Sequence, residues 1–473
     1  MKADGIYLLG QSSKDVTGSQ YYIKFGDKQI LLECGLYQSS NNSYLESYQI
    51  NSANFKFNAS KIDYVFIGHT HIDHIGLLPL LVKKGFNGRI IMTPETAVIA
   101  KDLLTNSCHI LESEARILSR KFHREYSAIY DLDDVRNAIE LFTTYKINQF
   151  VQLDDVVSFK FLPNSHCIGA AQIKLYLKDG TKTKKILYTS DIGAIKTDNH
   201  YLSDLYLDKE FNDVVLMEST YGDRKTHRRK RKTDTDLLRS SIETTVGRGG
   251  TFIMPCFSFS RTQEILTTLY ELFGSDENFK TPIIVDSQLS VDICRDYKKV
   301  LYDDDLAKWK EIVSWHNVQF IREKANSDAW LYNPKSKIVI SSSGFCTNGR
   351  VVSYLAEYLS DKNSTVCFSG YAGSNDSYLS YRIKNSAVNE RIKINKQQVT
   401  NRADAINLTT FSSHAPHDDL VRYGASFNTN KLVLVHGSAD AKSLLKGDLE
   451  KEISKNNKTY KVAIGTIGMF VRL

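Results

Sequence analysis

Short apolar runs separated by turn residues dominate the first third of the chain and predict a series of strands. Residues 21–25 and 30–32 flank Gly26-Asp27 and predict a β-hairpin. The apolar run at 64–67 predicts a buried strand that ends in a loop of histidines. Further strands are predicted at 156–163, 172–177 and 186–189, and helices at 77–84 and 112–124. Strands mixed with helices on this scale predict an α/β protein whose sheets lie between helical layers.

The middle of the chain alternates helices with short apolar strands. Helices are predicted at 235–246 and 262–273, and strands at 251–255, 282–285 and 337–341. This alternation is typical of a parallel, Rossmann-like sheet. Because no flexible linker separates this section from its neighbours, we expect one domain to be inserted into another.

The composition is that of a globular protein. Of the 473 residues, 42% are hydrophobic and 24% are charged, and this length predicts two domains. We find no apolar run long enough to span a membrane and no signal peptide, so we expect a cytoplasmic protein. The seven cysteines are scattered without a CxxC pair. They are expected to be reduced and buried, and not to form a thiolate zinc site.

The net charge of +7 permits a polyanionic partner without requiring one. The densest basic stretch is Arg224-Lys225 together with residues 227–232. Such a run is usually a solvated helix face. We favour that interpretation over a patch that contacts nucleic acid.

A cluster of histidines after the predicted strand at 64–67 is the strongest chemical signal. It contains His69, His71, Asp73 and His74. Imidazoles and a carboxylate in this spacing are ligands of a borderline cation such as zinc. Histidine is scarce, with twelve in the chain and three in this loop. A metal site is therefore favoured over a histidine-rich surface loop.

One loop does not supply enough ligands for two metal ions. His166 lies in a loop between predicted strands, Asp191 just past a strand, and His436 at a strand end near the C-terminus. Each of them alone would more often be a structural polar residue. Since active-site loops gather at strand ends, their pattern together with the cluster makes them candidate ligands.

Ordered motifs run along nearly the entire chain. They include Leu32-Glu-Cys-Gly35, the run from His69 to Gly76, His166-Cys-Ile-Gly-Ala170, Ser190-Asp-Ile-Gly193, Glu218-Ser-Thr-Tyr-Gly222, Phe411-Ser-Ser-His414 and Val435-His-Gly437. In these motifs the chain resembles the β-CASP branch of the metallo-β-lactamase superfamily. That branch holds the cleavage and polyadenylation endonuclease, RNase J and compact bacterial relatives.

The resemblance implies an α/β fold, namely a metallo-β-lactamase αββα sandwich with an inserted Rossmann-like β-CASP domain. The first part of the sandwich is predicted at residues 1–222, the β-CASP domain at 223–396 and the return segment of the sandwich at 397–473. The implied activity is hydrolysis of RNA phosphodiester bonds, in RNA processing or decay, with two Zn²⁺ per chain.

The resemblance also implies roles for individual residues. One ion would be held by His69, His71 and His166, and the other by Asp73, His74 and His436, with Asp191 bridging the two. Besides Asp73, the expected catalytic residues are Glu218 and His414. The imidazole of His414 can protonate the leaving 3′-oxygen, and the carboxylate of Glu218 can orient that imidazole. The expected phosphate contacts are Ser343, Gly344, Ser412 and Ser413. His417 is expected to be a bystander on the next turn of a helix.

The expected substrate is single-stranded RNA. We expect the insert to close over the metal site and to leave a basic cleft that is too narrow for a duplex. Histidine at position 436 resembles the RNA-cutting members, whereas DNA-repair members typically carry valine. The choice between endonuclease and exonuclease stays open, as does that between a homodimer and a processing complex. Other open alternatives are a DNA nuclease, a catalytically silent RNA-binding subunit and a small-molecule hydrolase such as a thioesterase.

Three departures from the family pattern point to a divergent member. Glu33 stands where most relatives have an aspartate that orients metal-binding histidines, which puts metal affinity in question. Ser438 replaces a common glutamate, and residues 370–376 match the family's glycine-rich loop only in part.

Overall fold

The computed structural model describes residues 3–41, 43–223, 230–373 and 375–473. Described residues within 1–197, 202–226 and 413–473 form one compact unit, here called unit 1. Those within 198–201 and 227–412 form a second, called unit 2. Along the chain, unit 2 therefore interrupts unit 1. The domain boundaries expected at 222/223 and 396/397 stay a prediction.

The strands of the described residues are, in chain order, β1 Gly5–Leu8, β2 Tyr21–Phe25, β3 Lys28–Leu32, β4 Tyr64–Phe66, β5 Arg89–Met92, β6 Phe142–Thr144, β7 Phe150–Gln152, β8 Val157–Pro163, β9 Ala171–Asp179, β10 Lys182–Tyr188, β11 Phe211–Glu218, β12 Thr251–Pro255, β13 Ile283–Asp286, β14 Val318–Ile321, β15 Lys337–Ser341, β16 Thr365–Phe368, β17 Arg391–Ile394, β18 Gln397–Thr400, β19 Asp404–Asn407, β20 Asn428–Val435, β21 Lys461–Ile464 and β22 Phe470–Arg472.

The α-helices of the same residues are α1 Tyr44–Asn51, α2 Ile72–Ile75, α3 Leu78–Lys83, α4 Pro94–Phe122, α5 Leu132–Glu140, α6 Arg231–Gly247, α7 Arg261–Phe273, α8 Gln288–Val300, α9 Asp303–Ser314, α10 Lys324–Leu331, α11 Val351–Tyr358, α12 Leu379–Asn385, α13 His417–Ser426 and α14 Ala439–Lys455. Each is either too short or too polar to cross a lipid bilayer.

Unit 1 contains two facing sheets. Among the described residues, sheet 1 has the strand order β22-β1-β2-β3-β4-β5-β6 and sheet 2 has β21-β20-β11-β10-β9-β8-β7. Their inner faces share one apolar core, where the ring of Phe66 from sheet 1 lies 5.0 Å from that of Phe159 in sheet 2. On the other side of sheet 2, Leu445 and Leu449 of α14 pack against Met217 and Leu434. The long helix α4 contacts sheet 1 at β6.

Unit 2 is built on a parallel sheet with the order β14-β13-β15-β12-β16-β19. Strands β12 and β15 are buried along their whole length, which explains their continuous apolar sequence. Helices α6 and α11 contact β12. The predicted α/β class, with sheets between helices and a Rossmann-like insert, is confirmed.

The largest error in the predicted elements concerns α4. The charge pattern predicted a helix over 112–124, but the helix spans Pro94–Phe122. Its start carries a clear signal, since the Thr93 hydroxyl accepts a hydrogen bond from the amide of Thr96 and a proline follows directly. The first half also has one buried face, with buried residues at 96, 97, 99, 100, 103, 104, 107 and 108, but several of these residues are small or polar, which weakens the apolar pattern.

The basic run is only partly described. Arg224, Lys225 and residues 227–229 lie outside the described residues. Arg231, in the first turn of α6, forms an ion pair with Glu264 at 2.9 Å and lies over the ring of Phe411. At least this member of the run packs within unit 2.

Candidate metal centre and active site

Most candidate ligands lie in loops at one edge of unit 1, and Asp73 and His74 lie in the short helix α2. His69 follows β4, and Glu33 follows β3, which runs parallel to β4. In sheet 2, Asp191, Glu218 and His436 follow or end β10, β11 and β20, which are mutually parallel. Parallel strands bring their carboxyl ends to the same edge, so residues far apart in sequence meet there.

Three histidines form a first group of nitrogen atoms. Nε2 of His69 lies 3.0 Å from Nδ1 of His71, which lies 3.2 Å from Nε2 of His166. Ligand nitrogens around a tetrahedral zinc ion stand roughly 3.3 Å apart, as follows from Zn–N bonds of about 2.0–2.1 Å. The spacing therefore fits a single ion at the centre of the group.

A second group combines imidazoles and carboxylates. Its members are Asp73, His74, Asp191 and His436, and their ligand atoms lie within 4.8 Å of one another. Nε2 of His436 is 3.2 Å from Oδ2 of Asp73, and its Nδ1 is 3.2 Å from Oδ1 of Asp191. Oδ2 of Asp191 lies 3.4 Å from His74 and 3.8 Å from His69. Asp191 therefore stands between the two groups.

Burial and neighbouring charges shift the pKa values of most of these side chains toward the protonation states that bind metal. His74 differs, because burial lowers its pKa but the charges of Asp191, Asp73 and Glu33 outweigh burial and raise that pKa well above the usual value. Burial lowers the pKa of His71 to about 4, and it lowers the pKa of His69 and of His166 well below the usual value. Burial would raise the pKa of Asp191, but the charges of His436 and His74 outweigh it and lower that pKa. Neutral imidazoles and ionised carboxylates are the forms that ligate cations.

Buried polar atoms without a hydrogen bond also occur in the second group. Among the described residues, Nε2 of His74 and Oδ1 of Asp191 have no oriented hydrogen-bond partner, whereas Nδ1 of His74 faces Glu33. Leaving such atoms unpaired is costly. A cation at this point would satisfy them, and the donor set of both groups fits divalent metal ions.

Glu33 contacts the second group directly and the first group through Ser190. Its Oε1 lies 3.2 Å from Nδ1 of His74 and accepts a hydrogen bond from the Ser190 hydroxyl at 3.2 Å. That hydroxyl also contacts Nδ1 of His69 at 3.0 Å. The longer side chain thus reaches His74 directly and His69 through Ser190, which agrees with the orienting role expected at this position.

Glu218 and His414 form a pair beside the two groups. Oε1 of Glu218 lies 3.1 Å from Nδ1 of His414, and the ring of His414 lies 4.7 Å from that of His166. Burial lowers the pKa of His414, but the charge of Glu218 and its hydrogen bond raise that pKa to about 9. The imidazole can therefore hold a proton near the two groups.

Three residues that support the ligands had no role predicted from the sequence. Asn164 accepts from the amide of His166 and donates to the carbonyl of Asp191 at 2.7 Å, which ties two ligand loops together. Ser190 contacts His69, and Thr220 contacts Nδ1 of His436 at 3.0 Å. Only Asn164 carried a local signal, an Asx turn directly after a strand.

The remaining predicted residues are distributed over both units. Ser343, Gly344 and Ser412 belong to unit 2, and their phosphate-binding role stays a prediction. The carbonyl of Ser413 faces Nδ1 of His166 at 3.1 Å in unit 1. His417 begins α13, and its Nδ1 lies 2.8 Å from the carbonyl of Gly222, a contact typical of a structural histidine.

Comparison with known proteins agrees with this architecture. Three family models match consecutive parts of the chain: Metallo-beta-lactamase superfamily over 14–107, Beta-Casp domain over 262–376, and Zn-dependent metallo-hydrolase RNA specificity domain over 399–460. A crystal structure of a protein of unknown function from Enterococcus faecalis V583 shares the fold, with a TM-score of 0.57, 13% identity and complete coverage of both chains.

Several known proteins are similar to this chain over nearly its full length. Ribonuclease TTHA0252 from Thermus thermophilus is 26% identical, covering 91% of this chain and 92% of its own. Integrator complex subunit 11 from Danio rerio is 25% identical, covering 94% and 71%. Endoribonuclease YSH1 from Candida glabrata is 23% identical, covering 94% and 56%.

Fold and site define a metal-dependent hydrolase built on the metallo-β-lactamase sandwich. With all three domain models in order along it, the chain belongs to the β-CASP family of the metallo-β-lactamase superfamily.

Proposed function

We propose that this chain is a zinc-dependent ribonuclease that hydrolyses phosphodiester bonds of single-stranded RNA during RNA processing or decay. The observation that carries the proposal is the convergence of seven ligand-type side chains into two adjoining groups. The RNA substrate is supported by relatives named as ribonucleases and by the match to the RNA specificity domain.

The two groups would hold two zinc ions. His69, His71 and His166 would bind one, and Asp73, His74 and His436 the other, with Asp191 shared between them. A set rich in imidazoles favours zinc over magnesium or calcium, which prefer oxygen ligands. When bound, such a pair of ions supplies Lewis-acid chemistry, which activates water and neutralises charge on the phosphate.

The chain's own residues supply the proton for the leaving group. His414, held by Glu218 at 3.1 Å, can donate a proton to the departing 3′-oxygen. Glu218 is itself fixed, because it accepts hydrogen bonds from the amides of Ile192 at 2.8 Å and Thr220 at 3.0 Å. The expected products carry a 5′-phosphate and a 3′-hydroxyl.

The test is a cleavage time course on end-labelled single-stranded RNA, with matched DNA and a blunt RNA duplex as parallel substrates. We expect the purified protein to contain zinc and to cleave single-stranded RNA, and a chelator to abolish cleavage. Asp191→Ala should be inactive, whereas Asp418→Ala, which removes an exposed carboxylate of unit 1, should stay active.

Several results would overturn the proposal. Preferred cleavage of DNA would reassign the substrate, and equal cleavage of duplex and single strand would remove the single-strand preference. An intact protein without metal or cleavage would favour a silent RNA-binding subunit. Turnover of thioesters without any action on RNA would favour a small-molecule hydrolase.

A further inference from the structure

Aromatic side chains gather at one edge of the parallel sheet in unit 2. Phe257 lies two residues past the end of β12, Phe345 four past β15, and Tyr371 three past β16. Strands β15, β12 and β16 are adjacent in the sheet and run parallel. In such sheets, ligands bind at the carboxyl ends of the strands.

Among these three rings, here called the aromatic cluster, Phe345 contacts each of the other two, and Phe257 and Tyr371 remain accessible. The ring centroid of Phe345 lies 5.0 Å from that of Phe257 and 5.9 Å from that of Tyr371, both edge-on. Phe257 is 45% exposed and Tyr371 is 38% exposed. Since a phenylalanine is normally buried, an exposed one beside two further aromatic rings suggests a surface for recognition.

Buried hydroxyl groups fix the backbone that carries the cluster. The hydroxyl of Thr262 donates to the carbonyl of Phe257 at 2.9 Å. The hydroxyl of Ser380 contacts the carbonyls of Phe345 and of Ala372, which follows Tyr371, at 3.0 and 2.7 Å. The backbone that carries the rings is therefore fixed before any ligand arrives, which lowers the entropic cost of binding.

The size of the cluster favours a small flat ligand. Aromatic side chains bury about 150–250 Å² each, so the exposed parts of Phe257 and Tyr371 amount to roughly 150–200 Å². That area suits one base, whereas a stable protein partner covers about 800 Å² per side. Polar residues lie close to Phe345 in sequence, namely exposed Asn348 and Ser343, whose hydroxyl donates to the carbonyl of Asn348. Such polar residues suit a nucleotide better than an apolar peptide.

We propose that Phe257, Phe345 and Tyr371 form a stacking site for an unpaired base of the RNA. This inference rests on the proposed ribonuclease function and deepens it. Stacking is tolerant of sequence because every base has a π-face. The site would therefore select unpaired nucleotides and not a particular base.

The experiment measures binding by fluorescence anisotropy with the zinc-loaded protein. One probe is a labelled single-stranded phosphorothioate oligonucleotide of about ten nucleotides, within the usual range of single-strand sites. The second probe has the same backbone and length but lacks all bases. The ring-deleting variants are Phe257→Leu and Tyr371→Leu, and Tyr371→Phe retains the ring. Tyr332→Leu is the matched control, since Tyr332 is 68% exposed in unit 2 outside the cluster.

Each leucine variant should weaken binding of the complete oligonucleotide by roughly 5- to 150-fold. Binding of the abasic probe should stay at the wild-type level, as should all binding by Tyr371→Phe and Tyr332→Leu. Zinc content and the thermal unfolding midpoint verify that each variant is intact.

Two results would overturn the inference: equal weakening for both probes, or wild-type binding of both by the two leucine variants. A change in self-association with unaltered RNA binding would assign the cluster to a protein contact and equally overturn it. RNA cleavage by the wild-type protein is measured separately. If that cleavage is absent, the proposed function fails whatever the stacking result.

Discussion

Replacement of Glu218 by glutamine should slow RNA cleavage without loss of bound metal. One carboxylate oxygen accepts from the amide of Ile192 at 2.8 Å and faces Nδ1 of His414 at 3.1 Å. The other accepts from the amide of Thr220 at 3.0 Å. A glutamine amide nitrogen cannot accept, so at least one donor loses its partner. Because a hydrogen bond to a charged group contributes ~1.5–3 kcal/mol, we expect roughly 10- to 150-fold slower cleavage.

The assay compares two substrates under single-turnover conditions. RNA has a poor leaving group that needs a proton, whereas bis(p-nitrophenyl) phosphate has a good one that does not. His414→Ala should therefore lose about 10²- to 10⁴-fold on RNA and far less on the nitrophenyl ester. Because Glu218 acts through His414, the double variant should be no slower than His414→Ala. His109→Ala, which truncates an exposed histidine of unit 1, is the control.

The reasoning would be refuted by equal losses on both substrates, or by additive losses in the double variant. Either result would mean that Glu218 and His414 do not act together on the leaving group. Metal content is measured for every variant, and loss of zinc from Glu218→Gln would assign the residue to the integrity of the metal centre.

Three further predictions concern the scaffold. Asn164→Ala removes hydrogen bonds that join two ligand loops and should weaken zinc binding by roughly 10- to 100-fold, measured by chelator competition. A Cβ at Gly35 would stand 1.6 Å from the backbone oxygen of Asp73, so Gly35→Ala should lower the zinc content. Gly447→Ala is the control, because a Cβ there meets no neighbour. Equal zinc content in the two variants would contradict this prediction. Burial raises the pKa of Glu114 from 4.5 to about 7, so the unfolded chain loses this proton at a lower pH than the folded protein does, and stability falls as pH rises through that interval. Glu114→Gln should therefore stabilise by ~1–3 kcal/mol at pH 8 and have little effect below pH 4.5, measured by urea unfolding; a pH-independent difference would contradict it.

Local sequence was sufficient for much of the fold. Strands β12 and β15 were predicted with the bounds that the structure has, because buried parallel strands are short, apolar and bounded by polar residues. The first half of α4 was missed although its buried residues recur with the helical period, because several of them are small or polar, such as Thr96, Ala100 and Ser107.

Residue types alone showed which chemistry is present: three imidazoles and one carboxylate lie between His69 and His74, with further candidates at strand ends. The tertiary structure decided how they combine. Only parallel pairing of β10, β11 and β20 brings Asp191, Glu218 and His436 to one edge. Contacts such as Ser190 with His69 have no sequence signal at all, because hydrogen bonds across 121 positions depend on strand order and not on neighbouring residues. Residue type is local information, whereas coordination is a property of distances in space.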